Sequence, residues 1–447
     1  MEKHITNEDI SEFSTCFDTE PKNLLALNAV TQNPVGTVAL NRDIVNQAVH
    51  VFSHHIETPE ATSQGSSGRC WMFAGLNTFR LAAMKKMNLE NFELSQSYPM
   101  FWDKLEKANF FLENIIETRD EPLNGRLVAW LLTGPIPDGG QWDMFISLVK
   151  KYGVVPKSVM PETNSSSNSQ PMNAILIARC RECAKMLREM NEQGASVEEM
   201  RRRKGEMMKE FYRILSIHLG KPPDTFSWEW RDKDKKFQRH GDTNPSEFFD
   251  TFVGADLDDM VCLIHAPTRD KPYGRLYTVQ YLGNVVGGQQ VRYLNADIET
   301  LKRAAVSMIV ENQAVWFGCD VGKMLEREKG ILDPNIYDYG LVYGIPFNLD
   351  KAERLDYGHS RMTHAMVFTG VDLDEGNRPV RWRVENSWGT KVGDKGYMVM
   401  SDGWFDEYLY EVIVSKKYLS PELLQALDTD PIVLPPWDPM GALAKCQ

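Results

Sequence analysis

The hydrophobic pattern of residues 68–87 predicts a buried helix. Small residues open this segment, apolar residues then recur at spacings of two to four, and two lysines close it. This spacing is typical of a helix, and lysines favour its C-terminal end. We therefore expect a helix with a glycine-rich entrance, whose apolar positions are Trp71, Phe73, Leu76, Phe79, Leu81 and Met84.

Residues 171–241 have a more charged pattern. Met200, Met207 and Phe211 recur at helical spacing after Ser196 and Glu199, which are separated as in a capping box. This pattern predicts a helical, charge-rich insertion. The polar run just before it, residues 164–169, predicts a loop.

Beyond His364 the pattern becomes strand-like. Met366 and Phe368, and later Trp382 and Val384, alternate with other residues, and further short apolar runs follow up to residue 414. Period-two alternation is typical of strands with one buried face. A β-sheet subdomain is therefore expected to close the chain.

Composition narrows the functional classes. The chain has 447 residues and a net charge of −12, which disfavours nucleic acid as a partner because phosphates would be repelled. No apolar stretch approaches the ~20 residues that span a bilayer, and no signal peptide is evident, so we expect no membrane contact. Seven cysteines without framework spacing indicate reduced thiols and a cytoplasmic protein.

The candidate chemistry begins at residues 64–71. Cys70 lies at the predicted start of a helix, where the macrodipole favours the nucleophilic thiolate. The Gln64 side-chain amide and the Cys70 backbone N–H provide two donors for a tetrahedral oxyanion. Taken alone, a Cys-Trp pair is more often a buried structural cysteine, so the rest of the chain decides between these interpretations.

A histidine and an asparagine further along complete a catalytic set. His364 opens a predicted strand and can exchange a proton with Cys70, while Asn386 can orient the imidazole without adding charge. Trp388 would shield their hydrogen bond from water. His359 is a minor alternative, expected in the preceding loop. The remaining candidate histidines fit packing or surface positions: His50, His54, His55 and His218.

These motifs resemble the papain-like cysteine peptidases in order and residue type. The resemblance rests on Gln64, residues 68–71, His364 and residues 386–389, and it implies a substrate-groove wall at Gly139 and Gly140. In papain the histidine and asparagine follow the cysteine by ~130 to 150 residues. His364 here lies 294 residues after Cys70, which requires an insertion about as large as a domain.

The insertion and the proline-rich tail resemble the bleomycin hydrolase or aminopeptidase C branch of that family. This resemblance implies a homohexameric ring, an intracellular aminopeptidase and a tail whose carboxylate, near Ala444, meets the substrate's α-ammonium. Residues 445–447 extend beyond the family's usual end. They are interpreted equally as a harmless extension or as residues that the enzyme trims from itself.

The sequence thus predicts an α+β, papain-like fold with a large inserted helical domain. The expected parts are an N-terminal arm (1–60), a helical subdomain (61–170), a mainly helical insertion (171–300), a β subdomain (301–430) and a tail entering the cleft (431–447). No metal or organic cofactor is expected. The expected substrates are peptides with a free N-terminus and amide xenobiotics such as bleomycin.

A rival hypothesis and two weaker site candidates remain. The rival is a non-catalytic ring that serves as a binding scaffold, possibly for nucleic acid; four intact catalytic residue types argue against it. Cys180 and Cys183 form a lone C-x-x-C within a helix, which is more often a structural pair than half a zinc site. The basic run at 201–204 is flanked by acids, so a solvated face is expected.

Overall fold

A mixed β-sheet of twelve strands runs through the protein and is packed on both faces. The computed structural model describes residues 3–445. Alternate residues of one central strand enter different apolar clusters: Ala365 and Val367 face one, Met366 and Phe368 the other. Burial of both faces explains why these strands are almost wholly apolar.

The strands and helices have the following bounds. The strands are β1 His54–His55, β2 Phe226–Arg231, β3 Phe237–Thr243, β4 Met260–Ile264, β5 Arg275–Val279, β6 Tyr293–Asn295, β7 Val315–Cys319, β8 Leu325–Glu326, β9 Ile331–Leu332, β10 His364–Leu373, β11 Pro379–Glu385, β12 Tyr397–Ser401, β13 Leu409–Ser415 and β14 Ile432–Leu434. The helices are α1 Asn7–Asp18, α2 Pro21–Val30, α3 Val35–Ala39, α4 Arg42–Gln47, α5 Cys70–Met87, α6 Ser97–Glu117, α7 Arg126–Thr133, α8 Trp142–Tyr152, α9 Asn164–Ser167, α10 Gln170–Glu192, α11 Val197–Leu219, α12 Pro245–Phe248, α13 Ile298–Val310, α14 Tyr339–Tyr343, α15 Lys351–Asp356, α16 Asp402–Tyr408 and α17 Pro421–Leu427. A π-helical turn spans Phe249–Val253, and 3-10 turns span Lys416–Tyr418 and Pro439–Lys445.

The strand order places the two chemistry-bearing strands at the centre of the sheet. It is β14-β5-β6-β4-β13-β7-β10-β11-β12-β9-β8, with β1 paired to β10. Most neighbours are antiparallel; β12 with β9, β14 with β5 and β4 with β6 are parallel. Helix α5 packs against β10, so the helix that begins at Cys70 lies beside the strand that begins at His364.

The segment predicted as a mainly helical insertion has mixed structure. Its first part is the antiparallel pair α10 and α11, which packs on α6, and α11 has the expected capping box at Ser196 and Glu199. Its last part contains β4, β5 and β6, which belong to the large sheet. The periodicity of a short apolar run cannot distinguish a strand from a helix, so these strands were not predicted. The domain boundaries themselves stay a prediction.

Part of the predicted loop at 164–169 is a turn of helix, α9, which spans Asn164–Ser167. Thr163 and Ser166 cap each other reciprocally at the start of α9. The capping-box pattern sought in sequence has Glu or Gln at the third position, so a serine there was not recognised.

The N-terminal helices lie on the outside of the protein. Neither α1 nor α2 buries a side chain, and α2 packs beside α14. No helix within residues 3–445 combines the length and apolarity needed to cross a bilayer.

Candidate active site

The loop that leads into α5 is held by two distant segments. The Gln64 N–H donates to the Ser387 carbonyl at 2.8 Å, and the Ser66 N–H donates to the Ser167 carbonyl at 2.8 Å. Gly65 between them has φ +60°, and a Cβ there would overlap the Ser167 carbonyl. Glycine alone fits this position, so the glycine-rich pattern has a steric cause.

Cys70 is the first residue of α5 and is only 2% exposed. The helix N-terminus directs its positive end at this position and favours a thiolate. The next residue is fixed from both sides: the Trp71 indole N–H donates to the Asp138 carbonyl at 2.8 Å, and the Trp316 indole N–H donates to the Trp71 carbonyl at 3.1 Å. These bonds join the start of α5 to the sheet through β7.

The buried Asp138 carboxylate supports this loop. It accepts the Gly68 N–H at 3.0 Å, the Asn173 amide at 2.8 Å and the Ser169 hydroxyl, and it forms an ion pair with Lys104 at 2.6 Å. Burial opposes its ionisation, yet these partners lower the pKa of Asp138 below its ordinary value. The sequence pattern does not indicate this contact between Asp138 and the nucleophile loop, because the two are 70 positions apart.

Gly139 and Gly140, the predicted groove wall, lie against α5. The Lys107 ammonium donates to the Gly139 carbonyl at 2.6 Å, and a Cβ on Gly140 would overlap the Trp71 indole. The wall therefore approaches the helix more closely than a side chain would permit. Contact between these glycines and a substrate stays a prediction.

His364 and Asn386 are joined by a hydrogen bond of 2.9 Å between the imidazole Nε2 and the amide Oδ1. The Ser387 N–H also donates to that oxygen at 2.7 Å, which fixes the amide orientation. Because Oδ1 can only accept, Nε2 carries the hydrogen and Nδ1 is the unprotonated nitrogen of a neutral ring. The pair has the tautomer that a general base requires.

The imidazole is shielded from solvent. His364 is buried, and its ring centroid lies 5.1 Å from that of Trp388, as the sequence predicts for the shielding residue. Burial lowers the pKa of His364 to about 4; the Asn386 bond opposes this shift and the charge of Arg327 adds to it. The ring is therefore neutral near pH 7 until it accepts a proton from a neighbouring thiol, whose negative charge then stabilises the imidazolium.

The Gln64 side chain is oriented by the sheet. The Ser387 hydroxyl donates to Gln64 Oε1 at 2.6 Å, and the Gln64 amide nitrogen faces the Ser67 carbonyl on the cysteine loop. The acceptor end of the amide thus points to the strand side and the donor end to the nucleophile loop. The Ser387 hydroxyl thus helps to orient Gln64, a role that the sequence pattern did not predict.

Cys319 shows that the two halves of the site are close. It is the cross-strand neighbour of His364 on β7. Burial raises the pKa of Cys319, and the charges of Asp320 and Cys70 add to the shift. Because α5 packs against β10 and the Ser387 hydroxyl bonds to Gln64, the structure brings Cys70, Gln64, His364 and Asn386 into one region.

The tail is docked along the helical half of this region. Strand β14 pairs with β5, Asp438 forms a buried ion pair with Lys271 at 3.0 Å, and the Met440 carbonyl accepts the Tyr293 hydroxyl at 3.1 Å. Ala444 is 3% exposed and belongs to the same apolar cluster as Cys70. Cys446 and Gln447 lie outside the described residues. Whether the enzyme trims them from itself stays a prediction.

The weaker candidates have ordinary roles. Cys180 and Cys183 are buried in α10 and unpaired, and burial raises the pKa of both thiols. Arg201 and Lys204 pair with Glu113. His359 is exposed after α15. Within residues 3–445, no group of three or more His, Cys, Asp or Glu side chains is arranged to hold a metal ion.

Comparison with known proteins agrees with this geometry. Aminopeptidase C of Listeria monocytogenes is 46% identical over 452 residues, covering 99% of this chain and all of that protein. Bleomycin hydrolase of Gallus gallus is 46% identical over 450 residues, covering 99% of both. The crystal structure of PepW from Lactobacillus rhamnosis HN001 superposes with a TM-score of 0.97 at 48% identity, covering 99% of both chains.

The family assignment follows from these matches. They confirm the papain-like α+β fold and the cysteine-peptidase class that the motifs indicate, and none of them supports the non-catalytic scaffold. A model of the Peptidase C1-like family matches residues 4–441. The chain belongs to the Peptidase C1-like family.

Proposed function

We propose that the protein is a cysteine aminopeptidase that removes N-terminal residues from peptides. The observation that carries this proposal is the buried His364–Asn386 pair at 2.9 Å, beside the helix that begins with Cys70. The relatives named aminopeptidase C and bleomycin hydrolase support the same activity. The name bleomycin hydrolase also leads us to include hydrolysis of amide xenobiotics such as bleomycin in the proposal.

The reaction proceeds through an acyl-enzyme. The Cys70 thiol gives its proton to His364 Nδ1 and its sulfur attacks the carbonyl carbon, while the Gln64 amide and the Cys70 N–H stabilise the oxyanion. Collapse of the intermediate breaks the C–N bond, and His364 protonates the leaving amine. Water then attacks the thioester with His364 as base and releases the amino acid.

A variant of the nucleophile tests this proposal directly. Wild-type enzyme should hydrolyse aminoacyl arylamides, and Cys70→Ser should lose nearly all turnover because serine is a far weaker nucleophile here. Iodoacetamide should alkylate Cys70 much faster than the other cysteines near neutral pH. Cys319→Ser is the matched control, since its thiol is also buried but has a raised pKa. Equal loss of activity in both variants would argue against Cys70 as the nucleophile.

We further propose that the tail confines the enzyme to free N-termini. A papain-type cleft is open at both ends, so one end must be closed and a negative charge supplied for the substrate's α-ammonium. The tail's contacts with Lys271 and Tyr293, and the burial of Ala444, support a fixed arm that performs both tasks.

Two truncations test the tail. Ending the chain after Pro436 should lower aminoacyl arylamide turnover and raise cleavage of N-blocked peptides, because plug and counter-charge disappear together. Ending it after Ala444 is the control, since this keeps the contacts of Asp438 and Met440. An unchanged ratio of aminopeptidase to endopeptidase activity after the longer deletion would reject the proposal.

The proposal includes assembly into a homohexamer in the cytoplasm. Apolar side chains that a monomer would leave in water are clustered on the N-terminal helices and near α14, and such surfaces are typical of subunit contacts. The cysteines within residues 3–445 form no disulfides, and a reducing compartment is consistent with this. Light scattering should give six times the chain mass; a monomer would contradict the assembly. The exposed residues include Ile10, Phe13, Leu25, Leu341, Phe347 and Tyr357.

A further inference from the structure

A cation with no acidic partner lies beside the imidazole. Arg327 follows β8, its side chain is exposed, and its guanidinium lies over the Trp388 indole with Cζ 4.4 Å from the ring centroid. Across residues 3–445 no carboxylate forms an ion pair with this guanidinium. The nearest acid before it in sequence, Glu326, instead accepts the Lys329 N–H at 2.6 Å. Arg327 therefore presents its charge to solvent outside any described ion pair, although Glu326 and Glu328 flank it in sequence.

Arg327 lies near the place where the leaving group of the substrate is expected. In the proposed function His364 protonates the leaving amine, so the first leaving residue must lie against His364. The Trp388 ring lies 5.1 Å from the imidazole, and Arg327 covers that ring. An extended peptide advances about 3.3 to 3.6 Å per residue, so the carboxylate of a leaving amino acid or dipeptide reaches the guanidinium.

We propose that Arg327 forms a carboxylate subsite on the leaving-group side of the cleft. It selects short peptides whose C-terminal carboxylate lies one or two residues after the scissile bond. A guanidinium suits this role because its planar donors bind a carboxylate bidentately, and its contact with the indole holds it in place. The inference rests on the proposed function, because it takes the direction of the leaving group from His364.

The expected contribution is modest because the site is open to water. Exposed ion pairs contribute little, so we expect about a fivefold effect on kcat/KM rather than an all-or-none change. The effect should fall with added salt, since the charge is not buried. It should also appear only for substrates that carry the carboxylate.

Three substrates separate this role from a general effect on catalysis. They are a tripeptide with a free C-terminus, the same tripeptide with a C-terminal amide, and an aminoacyl arylamide that has no leaving-group carboxylate. Wild-type enzyme should prefer the free acid. In Arg327→Gln, kcat/KM for the free acid should fall about fivefold, while the amide and the arylamide stay within about twofold of wild type.

Two further variants serve as controls. Lys329→Gln removes the same charge two residues away without touching the indole, and it should keep the preference for the free acid. Arg327→Lys retains the charge but not the planar donors, and it should restore part of the preference.

The outcomes distinguish the two proposals. Equal changes for free acid and amide in Arg327→Gln, or no change in either, would overturn the carboxylate subsite while arylamide turnover still supports the peptidase. Absence of turnover on all three substrates by wild-type enzyme would overturn the proposed function and the subsite with it.

Discussion

The two halves of the site accommodate buried polar groups in different ways. In the helical half, charged side chains are buried as ion pairs: Arg69 with Glu162 and Lys104 with Asp138. In the sheet half, His364 and Glu411 are kept neutral, because burial lowers the pKa of His364 to about 4 and raises that of Glu411 to about 8. A buried ion pair between Arg80 on α5 and Glu385 on β11 joins the two halves. The halves should therefore respond differently to loss of a charge and to pH.

The reason for this difference lies in the backbone. The loop before α5 has few regular hydrogen bonds, so side chains from α6, α10 and neighbouring loops must fix it. The start of β10 is instead held by its pairing with β7 and β11, in register from His364 onward on one side. The ladder positions the start of β10 through backbone hydrogen bonds, whereas the loop before α5 depends on buried ion pairs.

The largest effect is expected for Asp138→Asn. This change keeps the size of the side chain but removes the ion-pair partner of the buried Lys104, and removal of one partner of a buried pair typically costs about 3 to 5 kcal/mol. Urea unfolding should show a loss of this order, with a parallel fall in activity. The double variant Lys104→Met with Asp138→Asn should recover part of the stability, because no lone cation remains. A loss below about 1 kcal/mol would contradict the comparison between the halves.

Gln64→Glu is expected to have the next largest effect. Glutamate keeps the shape of the side chain but has no N–H to donate, and losing one oxyanion donor typically costs about 10² to 10³ in kcat. Single-turnover kinetics should show this loss while iodoacetamide still alkylates Cys70 rapidly. Gln64→Ala should match it within an order of magnitude. Wild-type turnover in either variant would remove Gln64 from the site.

The sequence predicted those parts of the fold and site that depend on local pattern. Helices α5 and α11 follow apolar spacing and, for α11, a capping box, and His364 was expected to open a strand. The contacts that position the loop were not predicted, because they join residues far apart in sequence. Asp138 and Gly68, which share a hydrogen bond, are 70 positions apart, and Ser387 and Gln64 are 323 apart. Local sequence patterns do not predict contacts over such separations.

Arg327 illustrates the same limit at the surface. From the sequence, an arginine flanked by glutamates is predicted to be an ordinary solvated surface charge. Its relation to Trp388 and His364 arises only where β8, β10 and the turn after β11 meet.

Glu411→Gln should change how the stability of the sheet half depends on pH. Burial raises the pKa of Glu411 to about 8; the Cys262 thiol opposes this shift and the charge of Asp143 reinforces it. The folded state therefore holds a proton that the unfolded chain releases above its ordinary pKa of 4.5. Stability is full below that value and falls as the pH rises toward 8, by at most about 1.4 kcal/mol per unit.

Glutamine cannot ionise, so the variant should gain about 2 kcal/mol over wild type between pH 5 and pH 7. Urea unfolding at the two values measures this difference. Glu12→Gln, which changes an exposed acid on α1, should show no such trend. A constant difference between Glu411→Gln and wild type across this range would mean that Glu411 is ionised in the folded protein.

The smallest effect is expected for Ser387→Ala, which cuts the contact between the two halves. The Ser387 hydroxyl donates to Gln64 Oε1 at 2.6 Å, and losing it should free the Gln64 amide to rotate away from the oxyanion position. A hydrogen bond of this kind contributes about 1 kcal/mol, so kcat should fall about fivefold, measured on an aminoacyl arylamide. Ser63→Ala, an exposed serine next to Gln64, should leave kcat unchanged.

A double-mutant cycle shows whether Ser387 acts through Gln64. If it does, Ser387→Ala should have no further effect once Gln64 is alanine, because the amide that it orients is gone. A fivefold loss that persists in the Gln64→Ala background would instead show that the Ser387 hydroxyl acts independently of Gln64, since alanine keeps the backbone N–H that donates to Asn386 Oδ1 at 2.7 Å. In that case the orientation of the Gln64 amide would depend on the helical half alone, through its contact with the Ser67 carbonyl.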